Sequence, residues 1–279
     1  MDDDDVIDFH GLLTRASLWP VERVVEPYAW IEHIPFAFWL VGACRPRLAV
    51  ELGTHSGNSF FALCQAAEKH RTGSRLVAID TWEGDAHAGA YGEDVFRHVS
   101  AHRNARYPAA ELLRMTFDEA RARFEAGSVD LLHIDGLHTY EAVCHDFENW
   151  REALSPRAVV LFHDTAVKRG DFGVWRLWGE LRGRYPSFEF PHCNGLGVVG
   201  IGKELPDPML ALFRLDATAA RDVIDIYQRL GRSLRSWTNE IDALRHRLSA
   251  IESSNSWRLA SAIERIANVV RGRSSRRTS

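Results

Sequence analysis

Short apolar runs alternate with longer amphipathic stretches from Arg47 onwards. The runs predict buried strands at 48–50, 76–79, 129–134 and 158–162, and the stretches between them predict helices at 58–70, 117–124 and 139–154. In the last of these helices, apolar residues recur every three or four positions, which is the helical period. Continuous apolar strands separated by helices are typical of a parallel sheet with both faces covered. The pattern therefore predicts an α/β fold in which ligands bind at the carboxyl ends of the strands.

The regions on either side of this alternation have different patterns. Residues 1–45 are rich in aromatic residues and interrupted by prolines, and they predict a helical cap. Beyond residue 202, seven apolar residues follow strict four-three spacing, which is typical of a coiled coil; they are Leu230, Leu234, Trp237, Ile241, Leu244, Leu248 and Ile251. The predicted divisions are an N-terminal helical cap at 1–45, a Rossmann-like, doubly wound, mostly parallel domain at 46–202, a connecting helix at 203–228, a short coiled coil at 229–252 and a basic amphipathic tail at 253–279.

Charge is distributed unevenly along the 279 residues. From Arg229 to the end there are 11 Arg and 4 acidic residues, whereas the rest of the chain carries 23 basic and 34 acidic residues. An acidic body argues against nucleic acid as the ligand, because neutralising phosphates requires a basic face. The four cysteines form no Cys-x-x-Cys pair, the acidic start lacks the pattern of an export signal, and the longest apolar run is about nine residues. We therefore expect a cytoplasmic protein in a reducing compartment.

The first strand runs into a turn that contains Glu51, Gly53 and Gly57. The turn lacks the Gly-x-Gly-x-x-Gly of dinucleotide sites and the Gly-Lys-Ser/Thr of a P-loop, so it has no cradle for phosphates. A carboxylate there would repel pyrophosphate but suits a cation such as S-adenosylmethionine, which carries a sulfonium and an ammonium group. The alternative is an ordinary strand-turn-helix in which the glycines only permit the backbone conformation of the turn.

The second strand ends at Asp80, 27 residues after Gly53. An acid roughly 20 or more residues beyond such glycines typically accepts hydrogen bonds from ribose hydroxyls. The competing interpretation is a helix-capping aspartate. Two acids at the ends of adjacent strands favour the binding role.

Two later strands also end in polar residues. Asp135 follows the strand at 129–134, and His163 and Asp164 end the strand at 158–162. Because neighbouring parallel strands lie about 4.8 Å apart, these side chains are expected to converge. An oxygen-rich site of this kind fits Mg²⁺ or Mn²⁺, which would lower the pKa of an acceptor hydroxyl so that His138 could take its proton. In the alternative, Asp164 caps a turn and no metal binds.

Together these motifs resemble the class I S-adenosylmethionine-dependent methyltransferases, specifically a bacterial group found beside glycosyltransferases and similar to metal-dependent sugar O-methyltransferases. The resemblance covers about 47–202 and is carried by segments in matching order: Glu51-x-Gly53-x-x-x-Gly57, Asp80-Thr81-Trp82-Glu83-Gly84-Asp85, Ile134-Asp135-Gly136-Leu137-His138-Thr139-Tyr140, Phe162-His163-Asp164, Phe172-Gly173-Val174-Trp175 and Gly195-Leu196-Gly197. The chain departs from the group at His163, where metal-dependent members often carry an acid, and at Leu137, where antibiotic-sugar enzymes place an acidic base.

The resemblance implies a role for each candidate residue. The implied cofactor contacts are Glu51, Gly53, Thr54, Ser56, Gly57, Asp80, Thr81, Trp82, Thr116 and Phe117, of which Thr116 and Phe117 would lie near the adenine. The implied metal ligands are Asp135 and Asp164, and His163 is the third candidate ligand because it is expected to converge with them at the ends of the strands. The candidate bases are His138 and His163.

The expected function is transfer of a methyl group from S-adenosylmethionine to a hydroxyl of a sugar, surface glycan or glycolipid, assisted by Mg²⁺ or Mn²⁺. Two alternatives remain: an S-adenosylmethionine-binding scaffold without turnover, and a metal-dependent hydroxylase or hydrolase. The segment 254–259 resembles tails of bacterial glycosyltransferases, which supports a glycan acceptor by context. The heptads predict a homodimer or a glycosyltransferase partner, or else a helix folded back on the body, and the terminal arginines predict at most peripheral contact with anionic lipid at the inner face of the membrane.

Overall fold

The computed structural model describes residues 11–254, which divide into two compact units at Leu234. The first unit contains a seven-stranded sheet with strands β1 Leu48–Leu52, β2 Arg75–Asp80, β3 Glu111–Arg114, β4 Val129–Ile134, β5 Leu154–His163, β6 Ser187–Phe190 and β7 Leu196–Gly200. The helices are α1 Ile34–Cys44, α2 Asn58–Lys69, α3 Glu93–Arg106, α4 Phe117–Arg121, α5 Tyr140–Trp150, α6 Val174–Leu181, α7 Asp207–Phe213 and α8 Ala217–Ser253. Short 3₁₀ turns lie at Arg15–Leu18, Ile31–His33 and Arg151–Ala153.

The strand order is β3-β2-β1-β4-β5-β7-β6. The strands from β3 to β5 pair in parallel, and β7 pairs antiparallel with both β5 and β6. The chain moves outward from β1 through β2 to β3 and then returns to β4 beside β1, so the direction of winding reverses between β1 and β4. This reversal opens a crevice at the carboxyl ends of those strands. The predicted Rossmann-like, mostly parallel α/β fold is confirmed.

Apolar side chains cover both faces of the sheet. One face packs against α1 and α2 through residues such as Phe36, Phe38 and Phe60. The other packs against α5 and α6 through Phe147 and Trp178 among others. The central strands β1 and β4 are buried along their whole length, which explains why the sequence shows continuous apolar runs there and no alternation.

The structure differs from the sequence predictions in several elements, and three of the seven strands, β3, β6 and β7, were not among the four predicted from the apolar runs. Of the predicted N-terminal cap, only α1 and two 3₁₀ turns are helical within residues 11–45, because prolines interrupt the remainder. The helix α3 was not predicted, since Val99 is its one buried residue and it has no apolar stripe. The helix predicted at 139–154 ends at Trp150, because Leu154 already begins β5.

The predicted connecting helix at 203–228 is divided between α7 and the start of α8, and α8 then continues through the predicted coiled coil at 229–252. Leu230 and Leu234 pack against the core of the first unit, so the first two heptad positions belong to the body. The second unit begins at Arg235. The predicted basic tail lies outside the described residues apart from its first two positions, 253 and 254.

None of the helices in 11–254 has the length and apolar character that a membrane span requires.

An ion pair between the buried carboxylate of Asp130 and the exposed guanidinium of Arg47 joins the start of β4 to the segment that enters β1. Asp130 accepts hydrogen bonds from the backbone N–H of Arg47 (2.8 Å), from its guanidinium (2.8 and 2.9 Å) and from Ser155 Oγ (2.6 Å). Burial alone would raise the pKa of the Asp130 carboxyl, but these hydrogen bonds hold it at about 2. The ionised carboxylate therefore stabilises the fold at neutral pH.

We expect Asp130→Asn to lower the free energy of unfolding by about 2 kcal/mol at pH 7. Because the folded pKa lies below that of the unfolded chain, the contribution is complete above about pH 4 and is lost as the pH falls toward 2. Urea unfolding at pH 7 and pH 3 measures both effects. The matched control is Glu111→Gln in the exposed Arg75–Glu111 pair, which should change stability by less than about 1 kcal/mol; equal losses in the two variants would contradict the assignment.

Candidate functional site

A cavity of about 510 Å³ lies at the carboxyl ends of β1, β2, β4 and β5. Most of the predicted site residues line it: Gly53, Thr54, Ser56, Asp80, Thr81, Thr116, Phe117, Asp135, His138, His163 and Asp164. Three do not, namely Glu51, Gly57 and Trp82. The cofactor-binding part and the acidic cluster predicted from the sequence thus share one cavity.

The turn after β1 lies against the turn after β4. Gly53 has a φ of +88°, and a Cβ at this position would overlap the carbonyl of Asp135. Only glycine combines this backbone conformation with so close an approach. Gly53 therefore brings the end of β1 close to Asp135.

Asp80 joins two loops at the part of the cavity that lies at the end of β2. Its Oδ2 accepts hydrogen bonds from the backbone N–H of Thr54 (2.9 Å) and of His55 (2.8 Å), and its Oδ1 accepts one from the N–H of Trp82 (2.7 Å). The hydroxyl of Tyr91 also donates to Oδ2 at 3.1 Å. Asp80 thus fixes the turn after β1 as well as lining the cavity, a structural role that the sequence interpretation did not include.

The carboxylate of Glu51 lies behind the cavity wall. Its Oε2 is 2.9 Å from Nδ1 of the fully buried His133, and Nε2 of His133 accepts a hydrogen bond from the Trp30 indole at 3.2 Å. Burial raises the pKa of Glu51, while His133 opposes that shift. Glu51 does not line the cavity, and its Oε2 contacts His133, so its expected direct contact with a cofactor stays a prediction.

Gly57 and Trp82 are also structural in this arrangement. Gly57 precedes α2 with a φ of +82° and faces the ring of Phe61. Trp82 is fully buried, and its indole donates to the carbonyl of His55 at 2.9 Å. Both residues shape the loops that form the cavity without lining it.

Thr116 and Phe117 lie where β3 passes into α4. Thr116 forms a capping box with Glu119, which satisfies the first N–H groups of the short helix α4. Phe117 is half-buried, and its ring would meet a Cβ placed on Gly136. Both residues line the cavity, and their contact with an adenine stays a prediction.

Four titratable side chains, Asp135, His138, His163 and Asp164, form an acid–histidine cluster at the ends of β4 and β5. Nε2 of His138 is 2.8 Å from Asp164 Oδ2 and 3.5 Å from Asp135 Oδ1. Nδ1 of His163 is 3.2 Å from Asp135 Oδ1 and 3.5 Å from Asp164 Oδ1. Asp164 adopts a φ of +62°, a conformation that costs energy for a residue with a side chain and is concentrated at functional sites.

Charge in the acid–histidine cluster is balanced. Nε2 of His163 lies 3.2 Å from the carbonyl of Cys193, which can only accept, so this nitrogen carries a proton. Its other nitrogen faces two carboxylates. Burial lowers the pKa of His163, but Asp135 raises it more, to about 9. Likewise, burial opposes and the two carboxylates favour the charged form of His138, whose pKa is about 10. The pKa of Asp135 is held well below its usual range despite burial.

These charge states bear on the two candidate bases. An imidazole that is protonated at neutral pH cannot accept a proton. In addition, both ring nitrogens of His163 are engaged and the residue is buried. The geometry therefore disfavours His163 as a base, and His138 would first have to lose its proton.

The possible metal ligands differ from the predicted set in one residue. Within the described part of the chain, Asp135, His138 and Asp164 each offer a ligand atom, and these atoms lie within 4.8 Å of one another. The sequence interpretation chose His163 in place of His138. His138 replaces it because its Nε2 faces both carboxylates from the cavity side, whereas the His163 ring is buried and held by Cys193.

An N-terminal strap, residues 25–30, supplies part of the cavity wall that sequence reasoning missed. Pro27, Ala29 and Trp30 line the cavity. The side-chain amide of Asn58 holds the strap in place by donating hydrogen bonds to the carbonyls of Val25 (2.7 Å) and Pro27 (3.0 Å). The tryptophan was visible in the sequence, but nothing local connected it to the distant β1 turn.

A second contact missed from the sequence joins the loop after β2 to the loop after β5. Nδ1 of His87 accepts a hydrogen bond from the backbone N–H of His138 (3.3 Å), and its Nε2 bonds Asp171 at 2.8 Å. Phe172 stacks with the rings of both His87 and His138, with centroids 4.3 and 5.0 Å apart. This group covers the acid–histidine cluster on one side.

We expect Gly53→Ala to cost about 3 kcal/mol or more in the free energy of unfolding, because it combines a left-handed backbone with overlap against Asp135. The matched control is Gly127→Ala, which has a φ of +68° but no neighbour within 4 Å and should cost roughly 1–2 kcal/mol. Urea unfolding measures both. Equal losses would mean that the close approach of the two turns is not needed.

Comparison with known proteins places this cavity in context. Residues 50–165 match the model of a family described as a methyltransferase domain. The chain is also 50% identical over 186 residues to y4gI, an uncharacterized protein of Sinorhizobium fredii. The match covers 67% of this chain and 20% of that relative, so the chain spans about a fifth of the relative's length.

Several solved structures are similar at lower identity. The O-methyltransferase TomG of Streptomyces achromogenes, solved with S-adenosylmethionine, is 20% identical, with 67% of this chain and 85% of that chain covered and a TM-score of 0.43. An O-methyltransferase of Bacillus cereus, solved with S-adenosylhomocysteine, is 15% identical, with 67% and 86% covered and a TM-score of 0.44. A methyltransferase of Geobacter sulfurreducens is 19% identical, with 61% and 78% covered and a TM-score of 0.44.

The family match begins in β1 and ends just after β5. It lies inside the predicted domain at 46–202 and includes every residue that the sequence assigned to the cofactor, the metal or the base. Residues 50–165, the part of the chain that forms most of the cavity, are thus similar to a methyltransferase domain.

Proposed function

We propose that the chain is an O-methyltransferase that moves a methyl group from S-adenosylmethionine to a hydroxyl of a sugar, surface glycan or glycolipid. The observation that carries the proposal is the presence, in one cavity, of the Asp80 end and the acid–histidine cluster. The first suits a nucleoside with a cationic side chain, and the second suits a hydroxyl that must lose its proton. The similarity to a methyltransferase domain agrees with this pairing.

The choice of donor follows from the walls of the cavity. Asp80 lines it, and the turn after β1 lacks the motifs that bind pyrophosphate. A phosphate-free ligand with positive charge fits these walls better than a dinucleotide. Asp80 already accepts hydrogen bonds from three backbone N–H groups. A ribose hydroxyl would therefore replace the Tyr91 hydroxyl as its fourth hydrogen-bond donor.

The chemical step requires alignment more than strong acid or base groups. The acceptor oxygen attacks the methyl carbon, the bond between sulfur and methyl breaks, and S-adenosylhomocysteine leaves with both electrons of that bond. The hydroxyl proton passes to a group of the acid–histidine cluster, and Asp164 Oδ1 is a buried acceptor in it without a hydrogen-bond partner. Holding the two reactants in line supplies most of the acceleration.

A divalent ion fits the same cluster. The donor set of two carboxylates and one imidazole, with ligand atoms within 4.8 Å, suits Mg²⁺ or Mn²⁺. Asp135, Asp164 and His138 would hold the ion, which would act as a Lewis acid toward an acceptor hydroxyl.

A polyhydroxylated acceptor is supported by the residues at the cluster end of the cavity. Asp85, His87, Arg169 and Asn194 line this region and offer hydrogen-bond donors and acceptors beside the apolar Leu137 and Phe172. Sugars present hydroxyls at several positions, so a wall with several polar side chains suits them.

We expect Asp80→Asn to weaken S-adenosylmethionine binding at least tenfold, because the amide loses the charge and one acceptor that the ribose needs. Calorimetric titration measures the dissociation constant, and thermal unfolding checks that the turn after β1 survives. Glu83→Gln, an exposed carboxylate in the same loop, is the matched control and should leave binding unchanged. If both variants bind as tightly as the unmodified chain, Asp80 does not hold the donor.

Asp164→Asn should spare S-adenosylmethionine binding within about threefold but lower the rate of methyl transfer at least 100-fold, because it removes a carboxylate from the site of deprotonation. Asp118→Asn, in an exposed pair with His145, is the control. If Mg²⁺ or Mn²⁺ takes part, a chelator should reduce transfer by the unmodified chain and have little further effect on Asp164→Asn. Full activity in this variant would remove the cluster from the mechanism.

Transfer of radiolabelled methyl into the glycolipid and polysaccharide fractions of a bacterial lysate tests the acceptor class. Label in these fractions, lost on treatment with glycosidases, supports a sugar hydroxyl. Label confined to protein or small aromatic molecules would contradict the glycan acceptor while leaving methyl transfer intact. Tight binding of S-adenosylmethionine without transfer to any fraction would favour the scaffold alternative.

A further inference from the structure

We propose that the second unit, from Arg235, forms a parallel, in-register coiled coil with a second copy of this chain. Five large apolar side chains follow one line along the end of α8; this apolar stripe comprises Trp237, Ile241, Leu244, Leu248 and Ile251. Each is between 42% and 67% exposed. Apolar surface so regularly spaced on one helix face marks an interaction site.

The first part of α8 supports the exposed end. Val223 and Tyr227 are buried in the first unit, and the Tyr227 hydroxyl donates to the carbonyl of Leu12 at 2.6 Å. An isolated helix as short as residues 235–253 would be only marginally stable in water. Here the preceding turns of α8 are already helical, so the costly nucleation step is complete before residue 235. The stripe is therefore presented on a helix whose first turns are fixed by packing.

The stripe has the spacing of a heptad seam. Its residues alternate by four and three positions, with Ile241 and Leu248 at a positions and Trp237, Leu244 and Ile251 at d positions. Isoleucine at a followed by leucine at d, as in Ile241 and Leu244, favours two strands. Leu248 and Ile251 reverse that order, so the number of copies is itself part of the test.

Charges beside the stripe identify the occupant as a second copy. The g positions hold Glu240 and Arg247, and the e positions of the following heptads hold Arg245 and Glu252. In a parallel, in-register pair each g residue faces the e residue five positions later on the other copy. Glu240 then faces Arg245 and Arg247 faces Glu252, which gives four attractive pairs and no repulsive one.

An antiparallel pair uses these charges less well. With the stripe fully overlapped, Glu240 faces Arg247 of the other copy, but Arg245 faces Thr238 and Glu252 faces Gly231. Only two attractive pairs remain. The pattern of charges therefore favours the parallel arrangement, independently of the methyl-transfer proposal.

Sedimentation equilibrium of the whole 279-residue chain gives the first test. We expect a dimer that dissociates on dilution, and Leu244→Glu should weaken its association at least 100-fold by placing a charge in the seam. His246→Glu introduces the same charge at the f position, away from the seam, and should remain dimeric. A monomeric unmodified chain, an assembly of more than two copies, or equal behaviour of the two variants would overturn the proposal.

A charge-swap experiment separates a second copy from other occupants. One variant carries Glu240→Arg and Glu252→Arg, and the other carries Arg245→Glu and Arg247→Glu; each alone gives four repulsive pairs and should be monomeric. An equimolar mixture restores four attractive pairs and should form a heterodimer. Failure of the mixture to associate would mean that the stripe is covered by the chain's own residues beyond 254 or by a different protein.

Cross-linking determines the orientation. In the parallel arrangement Leu244 lies opposite Leu244 of the other copy, so Leu244→Cys should form an intermolecular disulfide under mild oxidation, with the bridged peptide identified by mass spectrometry. His246→Cys, on the outer face, is the control and should not. A cross-link through neither variant in a confirmed dimer would contradict the parallel register.

Discussion

The hydrogen bonds that continue past the ends of the central strands determine where the site lies. The N–H of Asp135 donates to the carbonyl of Leu52 at 2.8 Å, and the N–H of Gly53 donates to the carbonyl of Ile79 at 2.9 Å. The ends of β4, β1 and β2 are thereby held side by side, with Asp135 at the end of one and Asp80 at the end of another. A glycine at 53 is what allows the first two turns to approach this closely.

Compensation of charge explains how so many titratable groups share the cavity. Two carboxylates this close would repel one another, and removing them from water would cost free energy. Asp135 and Asp164 are stabilised because each lies beside protonated imidazoles. The Cys193 carbonyl accepts a hydrogen bond from Nε2 of His163, so Nε2 carries a proton. Nδ1 of the protonated ring then faces the carboxylates as a second donor.

The sequence predicts the part of the structure that local patterns control. The apolar runs gave the strand at 129–134 with both boundaries correct, and the motif at the end of β2 led to Asp80, which lines the cavity. These features depend on periodicity and on residues a few positions apart.

The features that the sequence did not reveal all depend on contacts between distant segments. Trp30 donates to His133, about 100 residues later, and His133 in turn contacts the carboxylate of Glu51. His87 reaches His138 in the same way. No spacing rule predicts such pairs, because the residues become neighbours only once the sheet has formed.

The most direct test of this account is equilibrium binding of S-adenosylmethionine labelled in its methyl group to the purified chain. We predict one equivalent bound per chain, displaced by S-adenosylhomocysteine and unaffected by an excess of NAD. Absence of binding, or displacement of the label by the dinucleotide, would contradict a cavity built for a positively charged, phosphate-free methyl donor.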